Sequence, residues 1–341
     1  MLQPSTLPIS IVISTCNRRQ RLLSLLKNLD QLVYPVVETI IVDSGEDRLS
    51  PEQYTSFPKL KIQYLSSAKS VCIQRNTGIR QAQSPWIFLC DDDIEIPPDY
   101  FDVFAAHITS HPDTGAVSGQ WLQKENDKWI AFYPLQSPRT LLWKYIFQLG
   151  IWGEISCPAN NYWIKRIKRY YKKKGNHISK AGWPVNTDFS SEFYTCPVYS
   201  LGASLVKKEW LVNSPYDEVL DRYGIGDNYG VIAGFPLAGV QVLKNTVVYH
   251  HREPTNRLKT SLQYYRRLLA LDYFIRSRPA LKYIKRLWLL WSLSGNLLVF
   301  LYKRQGLISK ATIKAMTTIA FGENPYSKAL DAGQKVTEPN F

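Results

Sequence analysis

Cysteine is scarce in this sequence of 341 residues, and its five cysteines form neither a C-x-x-C pair nor another metal-ligand spacing. The scarcity gives no support to a zinc fold or a disulfide framework and predicts a reducing compartment. The first eight residues also lack the cationic start and apolar run of a secretory signal. We therefore expect cytoplasmic synthesis and residence.

Long hydrophobic runs are missing as well, because the longest one, Leu287 to Tyr302, has only 16 residues. As a helix it would be about 24 Å long at roughly 1.5 Å per residue, against a bilayer core of about 30 Å. It also carries small and polar residues, and its flanks are cationic: Ser292, Ser294, Gly295 and Asn296 inside, Lys285, Arg286, Lys303 and Arg304 outside. We interpret the run as a buried or membrane-surface helix, with a spanning helix as the alternative.

Acidic residues are in the minority, with 28 Asp and Glu against 42 Lys and Arg, a formal net charge of +14. Such a surface attracts phosphates, anionic lipid or an acidic polymer. The stretch Tyr162 to Lys174 interleaves aromatic residues with seven cations. It predicts either a solvated basic face or a contact with an anionic membrane or acidic acceptor, whereas the absence of a recognisable nucleic-acid module argues against nucleic acid.

Short apolar runs alternate with helical patterns over the first 120 residues, which predicts an α/β fold with a mostly parallel sheet and helices on both faces. The predicted strands are Ile9 to Ile13, Thr39 to Val42, Leu60 to Leu65, Trp86 to Leu89 and Ala116 to Gln120. Helices are predicted from the spacing of Leu22, Leu25, Leu26 and Leu29, over Ser70 to Gln81, and after Pro97-Pro98-Asp99 with proline in the first turn.

The alternation fades between residues 121 and 197, and strand patterns return at Val198 to Val206 and Val240 to Tyr249. From Thr255 onward the pattern is helical. In parallel sheets ligands bind beyond the carboxyl ends of the strands. The polar segments Thr15 to Arg18, Asp43 to Asp47 and Asp91 to Asp93 are therefore expected to converge.

Asp91, Asp92 and Asp93 are three consecutive carboxylates after a buried strand, where like charges raise one another's pKa. A divalent cation relieves that repulsion, and Asp oxygens suit Mg²⁺ or Mn²⁺, which also bridge the oxygens of a diphosphate. The alternative is an acidic surface turn or a helix N-terminus. The buried strand Trp86-Ile87-Phe88-Leu89 comes before the triplet and favours a metal site, since an acidic turn in solvent does not need a buried strand to position it.

Four segments together resemble the nucleotide-sugar half of family 2 glycosyltransferases with the GT-A fold. They occur in the family's order over the first 100 residues: Ser10 to Arg18, Ile40 to Gly45, Arg75 to Ile79 and Phe88 to Asp93. The resemblance implies inverting transfer from a nucleoside diphosphate sugar, with the acidic triplet as the D-x-D metal motif.

The resemblance also assigns a donor pocket and metal ligands. Asp43 would meet the nucleobase edge, although Asp43-Ser44-Gly45 is also an ordinary turn sequence, and Arg75 could instead solvate a helix face. The implied donor-binding residues are Thr15, Asn17, Arg18, Asp43, Arg75, Asn76, Asp91 and Asp92, and the triplet's metal ligands are Asp91 and Asp93.

In the family's second half, a small-residue strand, an aromatic-Asp-Glu element and a glycine-rich loop precede the catalytic base. The matching segments are Gly202 to Leu205, Tyr216 to Glu218 and Tyr223 to Asn228. Asp227-Asn228 stands where many members have Glu-Asp, so Asp227 is the predicted base, with a plain loop Asp as the alternative. Other candidates for the base are Asp217, Glu218 and Asp221.

His250 and His251 follow the β-branched run that begins at Val247. Relatives of the fold often complete the metal shell with a histidine at this distance from the base, and neutral imidazole ligates Mn²⁺. Adjacent strand residues face opposite sides, so one histidine is expected to face the site. The alternative is a hydrogen-bonded pair at the end of a strand.

These observations predict three segments: a nucleotide-sugar-binding half (1–120), an acceptor-binding half (121–255) and a helical extension (256–341). The expected activity is metal-dependent, inverting glycosyl transfer to a glycan or lipid-linked acceptor in cell-surface glycan or glycolipid synthesis. The expected cofactor is Mn²⁺ or Mg²⁺, and the protein is expected at the cytoplasmic face of an anionic membrane. The alternatives are a nucleotidyltransferase, for which a glycine-rich, lysine-bearing phosphate loop is missing, and an inactive member that binds a membrane or polyanion.

Overall fold

The computed structural model describes residues 6–237, 239–252 and 257–341, and the chain divides into two compact units. The first unit is formed by Met1–Ala131, Tyr199–Asp217 and Phe235–Asn256. The second is formed by Phe132–Val198, Glu218–Gly234 and Arg257–Phe341. Compactness does not test which segments bind donor or acceptor, so the functional division at residues 120 and 255 stays a prediction.

The strands agree with the predicted runs in the first 120 residues and add short strands beyond them. In chain order they are β1 (Ile9–Thr15), β2 (Glu38–Asp43), β3 (Ile62–Ser66), β4 (Trp86–Asp91), β5 (Ile94–Glu95), β6 (Ala116–Glu125), β7 (Lys128–Ile130), β8 (Ile151–Trp152), β9 (His177–Ile178), β10 (Pro184–Asn186), β11 (Phe193–Cys196), β12 (Ala203–Lys207) and β13 (Val240–His250).

The first unit contains one large sheet with the order β13-β6-β12-β4-β1-β2-β3, and β5 and β7 pair with β13 and β6. Strands β4, β1, β2 and β3 run parallel to one another, as β6 does to β13. Strand β12 is antiparallel to both of its neighbours, β4 and β6. The predicted α/β class with a mostly parallel central sheet and helices on both faces is confirmed.

The helices, in chain order, are α1 (Arg19–Leu29), α2 (Pro51–Thr55), α3 (Val71–Gln81), α4 (Tyr100–Ser110), α5 (Pro138–Ile146), α6 (Tyr162–Lys174), α7 (Lys208–Asn213), α8 (Asp227–Ile232), α9 (Thr260–Ser277), α10 (Arg286–Tyr302), α11 (Gly306–Phe321) and α12 (Pro325–Asp331). Two 3₁₀ turns are formed by Pro58–Leu60 and Pro279–Leu281. Helix α4 begins at Tyr100, so Pro97 and Pro98 precede it: the carbonyl of Pro97 accepts the N–H of Tyr100 in a turn.

Hydrophobic spacing explains how the first unit forms its core. Strand β1 is buried along its whole length, and α1 buries the four leucines of its predicted stripe. Helix α3 packs on β1 at Gly78, where a Cβ atom would lie only 2.4 Å from a methyl carbon of Val12. Glycine at this position lets α3 approach the sheet and fixes the direction in which its polar residues point.

The second unit has a small sheet, β8-β10-β9, and most of the helices beyond residue 131. The basic aromatic stretch Tyr162 to Lys174 forms α6, which buries Ile164, Ile167 and Tyr171. The helical pattern predicted from Thr255 begins outside the described residues, and α9 starts at Thr260. The predicted apolar helix is α10, and within the described ranges no helix is both long and apolar enough to cross a bilayer.

Candidate active site

The carboxyl ends of β1, β2 and β4 meet at one edge of the sheet in the first unit. In the parallel registers, Thr15 lies beside Asp43 and Ser14 lies beside Asp91. The sheet therefore brings together the three polar segments that the sequence predicted to converge.

The three carboxylates of the acidic triplet contact different partners. Asp91 Oδ1 accepts a hydrogen bond from Arg75 Nη2 at 2.6 Å. Asp92 accepts from Thr15 Oγ1 at 2.7 Å and from Arg18 Nη1 at 2.8 Å. The same Arg18 nitrogen lies 3.5 Å from Asp93 Oδ2. Two arginines thus compensate three adjacent negative charges.

Burial shapes the electrostatics of the triplet. Burial raises the pKa of Asp92 to about 6, although the nearby Arg18 guanidinium lowers it and Asp93 raises it further. Burial alone would lower the pKa of Arg18, but the attraction and hydrogen bond of Asp92 outweigh it and the pKa ends above its ordinary value. Asp92 is therefore held chiefly as a partner of Arg18 and Thr15.

Gly202, at the start of β12, makes room for the Asp91 carboxylate. A Cβ atom on Gly202 would lie 2.1 Å from Asp91 Oδ2. The backbone N–H of Asp91 also donates to the carbonyl of Gly202 at 2.7 Å. The small-residue segment that carried the resemblance thus has a steric role: it allows Asp91 to reach Arg75.

Arg75 and Asn76 on α3 have different parts in the structure. Arg75 is buried and lies over the ring of Tyr216, with its guanidinium carbon 5.0 Å from the ring centroid. The Asn76 amide donates to the carbonyl of Tyr216 at 2.8 Å and accepts the N–H of Tyr216 at 3.0 Å. Asn76 therefore positions Tyr216, and Tyr216 supports the arginine that holds Asp91.

Asp43 and Asn17 organise the loop after β2. Asp43 Oδ1 accepts the N–H of Gly45 at 2.7 Å, and its other oxygen accepts the hydroxyl of Tyr64. Burial first, and then the hydrogen bond to Asp43, raise the pKa of Tyr64. Asn17 Oδ1 accepts the N–H of Glu46 at 2.7 Å. Sequence reasoning missed Tyr64, which lies in β3 and carries no motif of its own.

The two histidines point to different partners, as expected for adjacent strand residues. His250 Nε2 lies 3.4 Å from Asp93 Oδ1. His251 Nε2 lies 2.8 Å from Glu95 Oε2, and its backbone N–H donates to the carbonyl of Asp93 at 2.9 Å. His250 is therefore better placed than His251 to bind the same ligand as Asp93.

Asp93 and His250 fit one divalent cation, because neighbouring ligands around Mg²⁺ or Mn²⁺ lie about 3 Å apart at bond lengths of about 2.1 Å. Asp91 can join them only by sharing its carboxylate with Arg75. Across residues 6–237, 239–252 and 257–341, no three His, Cys, Asp or Glu side chains already form a metal shell. The remaining ligands of such an ion would come from water and from the phosphates of a substrate.

A cavity of about 300 Å³ opens beside Asp92 and Asp93 in the first unit. Its walls come from one face of α1, from the segment that follows β4 and from the residue that follows β13. They include Arg21, Ser24, Asn28, Glu95 and His251. The carboxylates of the triplet thus lie at the edge of a space large enough for part of a polar ligand.

Asp227 lies in the second unit as the first residue of α8, after Gly226, whose φ of +95° favours glycine. It is buried, and its Oδ1 accepts the N–H of Asn228 at 2.6 Å. The assignment of Asp227 as the base stays a prediction.

The alternative bases in the second unit are engaged elsewhere. Asp221 is fully buried, with Arg266 Nη1 3.5 Å from its Oδ1 and the Tyr326 hydroxyl donating to its Oδ2 at 3.2 Å. Glu218 forms an ion pair with Lys335 at 2.7 Å. These contacts give both carboxylates a structural part.

Residues 10–164 match the model of glycosyl transferase family 2. Among curated proteins, the chain is 32% identical over 116 residues to the uncharacterized glycosyltransferase YwdF of Bacillus subtilis. It is 29% identical over 110 residues to an uncharacterized glycosyltransferase of Haemophilus influenzae. Each alignment covers 32% of this chain, and they span 43% and 37% of the two relatives, less than half of each.

Two solved structures share the fold. One is TarS 1-349 of Staphylococcus aureus in complex with UDP-GlcNAc, with a TM-score of 0.52, 12% identity, and coverage of 96% of this chain and 93% of that chain. The other is GalNAc-T7 with UDP, GalNAc and Mn²⁺, with a TM-score of 0.54, 12% identity, and coverage of 95% and 59%. The predicted GT-A fold is confirmed.

Proposed function

We propose that this glycosyltransferase moves a sugar from a nucleoside diphosphate sugar to an acceptor hydroxyl in one displacement, with inversion at the anomeric carbon. The observation that carries the proposal is the arrangement of Arg18 and Arg75 around the acidic triplet, at the carboxyl edge of the sheet in a family 2 domain. Arginine suits bidentate phosphate recognition, and the carboxylates suit a metal ion.

The donor would bind along the edge formed by β1, β2 and β4. Asp43 keeps acceptor capacity beyond its two hydrogen bonds and is assigned to the nucleobase edge. Thr15, Asn17 and Arg18 are assigned to the nucleoside and phosphates, and Arg75, with Asn76 behind it, to the side of the diphosphate. The structures of TarS 1-349 and GalNAc-T7 hold UDP-GlcNAc and UDP, which supports this class of donor.

Asp93 and His250 would hold Mn²⁺ or Mg²⁺, with Asp91 as a further ligand and His251 as the alternative imidazole. GalNAc-T7 was solved with Mn²⁺, which supports a divalent metal here. When bound, such an ion supplies positive charge beside the leaving diphosphate. Asp92 would have a different task, because it accepts a hydrogen bond from Arg18, which is assigned to the phosphates.

Asp227 would take the proton of the acceptor hydroxyl, because a sugar hydroxyl is a poor nucleophile until a base removes its proton. The oxygen then bonds to the anomeric carbon from the face opposite the diphosphate. The bond from that carbon to the phosphate oxygen breaks, and its electron pair leaves with the diphosphate. Inversion follows from this single displacement.

The acceptor is assigned to the glycan or lipid-linked class, within cell-surface glycan or glycolipid synthesis. The net charge of +14 supports an anionic or membrane-borne acceptor.

A thermal-stability screen of UDP-, GDP- and dTDP-sugars, with and without Mn²⁺, tests the donor and the metal together. A donor at about 100 times its Kd should stabilise the fold by about 2.7 kcal/mol. Release of the nucleoside diphosphate in the same samples separates an enzyme from an inactive binding protein. Stabilisation by nucleoside triphosphates alone, with release of pyrophosphate, would contradict the proposal and favour a nucleotidyltransferase.

A further inference from the structure

Helix α10 presents an apolar stripe on its outer face. Leu287, Trp291, Leu298 and Leu301 are 77%, 46%, 51% and 54% exposed. Their spacings of four, seven and three residues place them on one side of a helix. The buried residues of α10 lie on its other side: Leu289, Ser292, Leu293 and Gly295.

Packing within the second unit fixes which face of α10 points outward. Trp291 stacks on Phe147 with ring centroids 4.8 Å apart, and its Nε1 donates to the carbonyl of Ile146 at 2.9 Å. A Cβ atom on Gly295 would lie 2.3 Å from the Phe147 ring. Ile146 and Leu142 on α5 are themselves 44% and 40% exposed. The apolar surface therefore extends from α10 onto the exposed side of α5.

The chain segment that carries this stripe has charged residues of one sign. Between Asp272 and Glu323 the sequence has nine Lys and Arg residues and no Asp or Glu. Lys285 and Arg286 precede the stripe, and Lys303 follows it. Asp272, at the border of the segment, already pairs with Arg276 and Arg286. A partner for this surface must therefore offer apolar area bordered by negative charge.

We propose that this surface docks on a bilayer that contains anionic phospholipids, with α10 lying in the plane of the interface. The leucines and Trp291 would enter the boundary between headgroups and acyl chains, and the flanking cations would meet lipid phosphates. A second copy of the chain fits less well, because a twofold contact through α10 would bring the cations at its two ends, such as Lys285 and Lys303, near those of the other copy. Docking needs neither donor nor metal. The docking proposal can therefore be refuted while the proposed transfer activity still holds.

Flotation of the full-length protein with vesicles of phosphatidylcholine, with and without phosphatidylglycerol, tests the proposal. Wild-type protein should float with the anionic vesicles. The double variant Leu298→Gln/Leu301→Gln removes two half-exposed leucines from the interface. Its partition into the anionic vesicles should therefore be weaker than that of the wild type by about tenfold or more. Val212→Gln, a substitution of a residue 54% exposed on α7, is the matched control and should bind as wild type.

The charges are tested separately with Lys285→Gln and Lys303→Gln, each of which should weaken binding about fivefold at low salt. Circular dichroism melts check folding, and Leu287→Gln, the most exposed site of the stripe, replaces the double variant if that variant unfolds. The proposal is overturned if the wild-type protein does not float with the anionic vesicles. It is also overturned if the leucine variants float as well as the wild type does. A dimer in light scattering that dissociates in Leu298→Gln/Leu301→Gln, without vesicle binding, would assign the surface to a second copy instead.

Discussion

Gly202→Ala is a small change that should displace the carboxylate of Asp91. The new Cβ atom would lie 2.1 Å from Asp91 Oδ2 and 2.5 Å from Oδ1, so both oxygens must move. The Gly202 backbone has no positive φ that would strain alanine, and the carboxylate is the end of a side chain that can rotate. The cost therefore comes from the lost contact with Arg75, whose Nη2 lies 2.6 Å from Oδ1.

The expected loss of stability is about 1.5 kcal/mol, the lower end of the range for a hydrogen bond between charged groups, because the Asp91 side chain is 27% exposed. The effect on the site should be larger. A rotated Asp91 no longer supports Arg75 beside the diphosphate, so Mn²⁺-dependent donor affinity should fall about tenfold or more. Urea unfolding and calorimetric titration of the donor measure the two effects.

Two comparisons make this prediction specific. Gly306→Ala, at the start of α11, adds a Cβ atom with no heavy atom within 4 Å and should leave stability and binding unchanged. In an Asp91→Ala background the added methyl group meets no carboxylate, so Gly202→Ala should cost much less there. Wild-type stability and donor affinity in Gly202→Ala would refute the described packing of Asp91 against β12.

Three further substitutions test other parts of the site. Asn76→Ala should destabilise the fold by about 1–3 kcal/mol in urea unfolding, because it removes two hydrogen bonds to the buried backbone of Tyr216. Tyr64→Phe removes the hydroxyl that holds Asp43 and should weaken nucleotide binding by roughly 1 kcal/mol, measured by calorimetry. Asp227→Asn should slow transfer by roughly 10²- to 10⁴-fold with donor affinity nearly unchanged; turnover within a few-fold of wild type would place the base elsewhere.

Much of the first unit could be predicted from sequence because its signals are local. The β-branched run of β1 and the leucine spacing of α1 each satisfy one periodicity, and the structure has both elements there. The predicted strand Val198 to Val206 was less accurate, since β12 begins only at Ala203. Tyr199 and Leu201 are buried although they precede the strand, so the sequence shows the same apolar pattern there as it would for a strand.

The contacts within the site could not be predicted, because they join residues far apart in the chain. Arg18 reaches Asp92 across 74 residues, and Asn76 pairs with Tyr216 across 140. Sequence motifs placed these residues in one region, but the register of β1 with β4 and the packing of α3 on β1 set which carboxylate meets which arginine. The role of Asn76 as a support for Tyr216 is likewise visible only in three dimensions.

Calorimetric titration of Asp93→Ala with the best donor of the screen, with and without Mn²⁺, tests the metal and diphosphate site most directly. In the wild type Mn²⁺ should raise donor affinity by about tenfold or more, since the ion and the diphosphate share charge at the triplet. Asp93→Ala should lose that increase and keep the metal-independent affinity, whereas Asp102→Ala, which removes an exposed carboxylate on α4, should respond as wild type. An undiminished Mn²⁺ effect in Asp93→Ala would contradict the assignment of the metal to this triplet.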